Sequence, residues 1–220
     1  MAASATRSPA LSRCLLRGGF VLCLCVLSIA QSAEAPSCPA GVIPGDSTPL
    51  AESTATQNCS PKTSRGFPIP DSACTPGAVN PTVTLKVLQS GRFKTGCERN
   101  KASNMRAKNA TYGAYGITHP TGNTGKNQLC ELDHLVSLEL GGADTVDNIW
   151  PQCGPNDVAL AQRYFKIKDG VENYLAAQVR HGQMNLAQAQ RGIAHDWTQY
   201  LGAARAYWSD RRAAGFGRDE

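Results

Sequence analysis

Asp133 and His134 stand side by side in the stretch Cys130-Glu131-Leu132-Asp133-His134, a proton acceptor next to an anion. An imidazole titrates near physiological pH and can take a proton from water. A carboxylate beside it can hold a divalent cation, which absorbs negative charge on a phosphate and on a departing oxygen. Those are the two needs of phosphodiester cleavage at neutral pH. Neighbours on a strand point to opposite faces, so both groups reach one phosphate only if the strand ends or bends there. Glu131 either extends such a site or sits on the hairpin surface. His119, His181 and His195 stand alone in loop or helical contexts, where structural or exposed roles are expected.

The elements that must position the pair can be read around it. From Gln128 to Leu140 the chain is apolar around its charged positions, and Gly141-Gly142 then breaks it, which predicts a strand and a turn. Asn148-Ile149-Trp150 is the expected returning strand, stopped by Pro151. Leu160, Tyr164, Ile167, Val171, Leu175 and Val179 recur at helical spacing and predict one helix face ending near Gly182, with Gly170 weakening its middle. A second helix is expected to start with Asn185 as its cap and to bury Leu186, Ile193, Trp197, Leu201, Ala204 and Trp208.

A polyanionic partner is suggested by the segment before the hairpin. Lys86, Arg92, Lys94, Arg99, Lys101, Arg106 and Lys108 stand against the single acid Glu98. Lys and Arg contacts to phosphate supply most non-specific nucleic-acid affinity, although a charge run can equally be a solvated surface. Arg99, Lys101, Arg106 and Lys108 are the candidates for phosphate contact.

The first residues read as an export signal. Arg7, Arg13 and Arg17 flank an apolar run, and small residues follow at Ala30, Ala33 and Ala35. The run from Phe20 to Ala30 is well short of the ~20 apolar residues that cross a bilayer. Cleavage is expected between residues 30 and 35, leaving no membrane segment and placing the mature chain in a periplasm or outside the cell. Removing three Arg lowers the formal charge from +5 to +2, so global charge alone points to no partner. Cys38, Cys59, Cys74, Cys97, Cys130 and Cys153 remain, an even set that in an exported protein suggests up to three disulfides. Sequence does not rank the pairings, and no C-x-x-C speaks for zinc.

The stretch Glu131-Leu132-Asp133-His134-Leu135-Val136-Ser137-Leu138-Glu139-Leu140-Gly141-Gly142, followed by Asp147-Asn148-Ile149-Trp150-Pro151-Gln152, resembles the HNH (ββα-metal) nuclease signature. The likeness is to a variant written around E-L-D-H, a Gly-Gly turn and N-x-W-P. It extends from roughly Phe67 to Leu201 and takes in Lys168-Asp169 with Glu172 on the first long helix. The resemblance implies that Asp133 binds a metal, His134 activates water and Asn148 pins the loop between two strands. Where many relatives carry a second ligand, a His or an Asn, this chain has Asn156 and Asp157. Their oxygens suit Mg2+ or Mn2+ better than Zn2+, which stays open.

The expected fold is therefore α+β, with a ββα-metal hairpin-helix module, additional C-terminal helices and a disulfide-stapled irregular N-terminal region. Its expected parts are a signal peptide over 1–33, a Pro/Ser/Thr-rich arm over 34–66, the nuclease-like domain over 67–212 and a tail over 213–220. The expected activity is metal-dependent hydrolysis of DNA or RNA with low sequence specificity. An inactive nucleic-acid-binding module and a disulfide-rich effector or structural protein are the alternatives, and oligomeric state is left open.

Overall fold

The Pro/Ser/Thr-rich arm does not stay irregular along its length. In the computed structural model, which describes residues 38–100 and 105–213, it contributes strands to the body of the protein. The expected signal segment, Lys101, the side chain of Arg106 and residues 214–220 lie outside the described residues. Strand β1 (Thr48–Pro49) pairs antiparallel with a strand formed thirty residues later. Strands β2 (Lys62–Ser64) and β3 (Phe67–Ile69) form a hairpin that straddles the expected boundary between arm and domain. Strand β4 (Ala78–Val79), the partner of β1, completes the small sheet. Cys38–Cys97 and Cys59–Cys74 fasten the arm at two points, and the described residues group as one compact unit.

A short helix α1 (Leu85–Leu88) starts at Thr84, whose side chain accepts from the Val87 amide. Helix α2 (Met105–Ala114) takes in the end of the basic segment. Strands β5 (Cys130–His134) and β6 (Ile149–Cys153) form the central antiparallel ribbon. The second strand is longer than expected, because it runs through Pro151 instead of stopping there. Leu135 N donates to Asn148 O and Gly154 N to Leu129 O, which sets the hydrogen-bonded pairs at alternate positions. Pro151 faces Leu132 between them, where its missing N–H interrupts no ladder bond. The same alternation brings Cys130 opposite Cys153, and these two are bridged.

Between the strands the chain leaves the ribbon through a 3-10 turn at Leu138–Leu140 and reverses at Gly141, whose φ of +70° is left-handed. A Cβ on Gly142 would run into the Val136 carbonyl, so the turn requires both glycines. Asn148, fully buried, ties this loop together. Its Oδ1 accepts from the Val136 and Ala78 amides, and its Nδ2 donates to the Val136 and Ala143 carbonyls.

Helix α3 (Tyr164–Arg180) packs across the ribbon, and its buried face carries Phe165, Val171, Leu175 and Val179 together with Lys168. The long C-terminal helix expected from the sequence is two. Helix α4 (Leu186–Asp196) is capped by Asn185, whose side chain accepts from the Gln188 amide. A 3-10 turn over Trp197–Tyr200 then intervenes before α5 (Leu201–Ala213). Asp196 makes the break: its carboxylate accepts from Thr198, from Ser64 Oγ and from Arg65, so the β2–β3 turn docks at the interruption. Ile193, Trp197, Leu201, Ala204 and Trp208 enter the core despite it. The protein is thus α+β, with small two-stranded sheets and helices. Among the described residues no helix is long and apolar enough to cross a membrane.

Candidate active site

Asp133 and His134 lie at the end of β5, and the ribbon sends their side chains to different partners. Asp133 is paired with Trp150 across the ribbon, and its Oδ2 accepts from Trp150 Nε1 at 3.2 Å. The same oxygen meets Lys168 Nζ at 2.9 Å. Lys168 is fully buried, and its ammonium also donates to the His134 carbonyl at 2.7 Å and to Glu172. Three donors thereby find three acceptors, which is all an ammonium can do. Burial works against that charge, but Asp133 and Glu172 hold it well above the ordinary lysine value. Burial also pushes both carboxyls upward, Glu172 furthest.

His134 turns to a different group. Its Nε2 lies 2.8 Å from Asp144 Oδ1, and Asp144 is 1 % exposed. Lys108 donates to the same Asp144 oxygen, and the Asn100 amide donates to its other oxygen at 2.7 Å. Against the upward push of burial, these hydrogen bonds and the imidazole hold Asp144 well below the carboxylate range. An ionised Asp144 fixes the tautomer: Nε2 carries the proton, and Nδ1 keeps its lone pair. Nδ1 has no protein partner among the described residues. Burial lowers the His134 pKa more than Asp144 raises it, so the ring is neutral at neutral pH. Near it, Glu98 is fully buried, and its carboxyl has no hydrogen-bond partner among the described residues. Burial, then the Asp144 charge, pushes Glu98 up to about 9, so the one acid of the basic segment is itself uncharged at neutral pH.

A pocket of about 280 Å3 opens between the end of β5 and α3. Asp133, His134, Glu131, Asp169, Glu172 and Arg99 all line it. Glu131 stands beside Lys166 at 3.7 Å, and burial raises its carboxyl. The expected residues are distributed unevenly around this pocket. Asp133, His134 and Arg99 are brought together. Lys108 is tied to Asp144 with its side chain 12 % exposed, so it acts on the histidine's partner and is not a surface cation. Asn156 and Asp157 are exposed in the loop after β6 and do not line the pocket. The ribbon extends to Cys153, and a 3-10 turn over Leu160–Gln162 delays the helix, so the positions facing the ribbon become Lys168, Asp169, Glu172 and Asn173. The expected ligand pair is therefore replaced at this pocket by residues one to two turns into α3.

Sequence spacing alone flags part of that replacement, because Lys168 and Glu172 stand four apart on one helix face. Asp144 gives no such signal; it falls in the irregular loop and reaches His134 only through the turn at Gly141-Gly142. The pocket oxygens are hard donors of the kind magnesium and manganese prefer. As disposed, they do not form a seat for such an ion. Among the described residues no three His, Cys, Asp or Glu side chains converge closely enough, and the Lys168 ammonium lies between Asp133 and Glu172. The arrangement offers instead a neutral imidazole, oriented by a carboxylate, with an arginine lining the same pocket. Compared with protein families, curated proteins and solved structures, the chain matches none.

Proposed function

We propose that this protein is an exported endonuclease that hydrolyses phosphodiester bonds of DNA or RNA with little sequence preference, on a hairpin-helix unit of the HNH kind. The observation that carries the reading is the orientation of His134: Nε2 is committed to a buried carboxylate and Nδ1 is left as an acceptor beside Arg99. In this reading a water molecule gives its proton to Nδ1 while its oxygen forms a bond to phosphorus. The bond from phosphorus to the leaving oxygen breaks, and its electron pair stays on that oxygen, which then takes up a proton. Arg99 counters the charge on the phosphate, and Asp144 stabilises the imidazolium that forms. Lys168 holds the end of β5, through the His134 carbonyl and Asp133, so that the ring sits where the reaction needs it.

Export rests on the N-terminal sequence and on the three disulfides, which belong in an oxidising compartment. Plasmid nicking by the disulfide-intact protein tests the reading, run with Mg2+, with Mn2+ and with EDTA. Nicking in at least one condition that falls by about 10²- to 10⁴-fold in His134→Ala is the expected result. No nicking in any of them, or activity indifferent to His134→Ala, overturns it. The chelator decides whether charge on the phosphate is balanced by an added cation, as the family resemblance implies, or by the chain's own arginine.

A further inference from the structure

The pocket at His134 is the middle of a longer depression. On one side it shares Thr95, Glu139 and Asn173 with a cavity of about 650 Å3 that reaches the C-terminal end of α3. On the other it shares Arg99, Glu131 and His134 with a cavity of about 250 Å3 between the ribbon and α2. The three openings are therefore contiguous, and His134 lies at the second junction. Their chemistry alternates. The centre is rich in carboxylates, whereas each wing pairs cations with an aromatic ring: Lys94 and Arg180 with the half-buried Phe93 in the larger, Arg99 with the exposed His119, which packs edge-on against the buried Tyr112, in the smaller. Lys94, Arg180 and Arg99 are exposed, and none makes an ion pair among the described residues.

A groove that alternates cations with aromatic rings is what a single strand of nucleic acid recognises, since its backbone follows the charges and its unpaired bases stack. We infer that one unpaired polynucleotide strand runs the length of this groove and crosses His134, with Lys94 and Arg180 holding phosphates on the wing away from Arg99. The inference rests on the proposed phosphodiesterase reading and adds to it the substrate form and the direction of approach. Phosphates bound on the cationic wings place only the scissile group over the acidic centre. Cleavage is then internal, since chain is held on both sides of the reacting bond.

The test is fluorescence anisotropy of a labelled oligothymidylate with the full, disulfide-intact protein, titrated at several salt concentrations. Lys94→Ala with Arg180→Ala is expected to weaken binding at least tenfold and to flatten the slope of log K against log salt by about 1.4, at ~0.7 per lost phosphate contact. Hydrolysis of bis(p-nitrophenyl) phosphate, which is too small to reach that wing, is expected to stay within about twofold. Lys94→Glu, which leaves α3 untouched, gives the same sign if Arg180→Ala loosens the helix end. Unchanged affinity and slope in these variants, or a duplex of equal length bound more tightly than the single strand, overturns the groove. Those outcomes are separable from failure of the nuclease reading, in which His134→Ala leaves hydrolysis of the small diester intact while the wing variants still weaken binding.

Discussion

Asp133 and His134 are consecutive residues whose surroundings differ in kind. Asp133 faces α3, where a buried ammonium joins it to Glu172 and to the strand's own carbonyl, and Trp150 takes the same carboxylate oxygen. His134 reaches Asp144 with one nitrogen, and the other has no partner among the described residues. The first arrangement saturates its ammonium; the second leaves one lone pair unused. A buried polar cluster that saturates its members rigidifies, whereas a group left with an unused lone pair in a pocket can react. The two sides of one strand end thus divide the work: the α3 side fixes the backbone, and the other side presents a lone pair to the pocket.

Breaking the α3 side should have the largest effect. Lys168→Met leaves Asp133 and Glu172 buried without their cation, and loss of one partner of a buried ion pair costs about 3–5 kcal/mol. Chemical denaturation is expected to show that loss, and a stability equal to wild type would mean that the cluster does not hold the strand. Removing the bridge beneath both sides comes next. Cys130→Ala with Cys153→Ala opens a loop of 23 residues, for which the chain-entropy relation gives about 3 kcal/mol. A melting temperature unchanged in non-reducing buffer would contradict it.

The smallest expected effect sharpens the His134 side. Asp144→Asn should lower cleavage by about 10- to 100-fold, because the ring loses the ionised, acceptor-only carboxylate that fixes its tautomer. The pH profile carries the sign. In the proposed mechanism His134 acts when neutral, so activity is expected to rise with pH through its folded pKa, which burial sets below the ordinary imidazole value. Asp144 and Asp133 raise that pKa, and Arg99 lowers it. Without the Asp144 charge the imidazolium is less favoured, and the acid limb should move to lower pH. A limb that moves upward, or a rate that falls with no shift at all, would show that Asp144 supports the loop and not the ring.

The sequence by itself determined the local parts of this protein. An apolar run broken by Gly141-Gly142 marked the ribbon, helical periodicity marked α3, Asn185 marked the start of α4, and the Gly-Gly turn with Asn148 marked the loop. Each depends on backbone and burial preferences within a few residues. Tertiary structure decided what those parts meet. Cys130 pairs with Cys153 because the ribbon's register sets them opposite. Pro151 stays within β6 because that register spares it a ladder bond. The polar groups of α3 replace Asn156 and Asp157 at the pocket because the helix begins later than the spacing implies. Asp144, far from any periodic pattern, becomes the partner of His134 only when the loop folds back. Hydrogen bonds and ion pairs are set by distances of a few ångströms between segments, and such distances exist only once the chain has closed on itself.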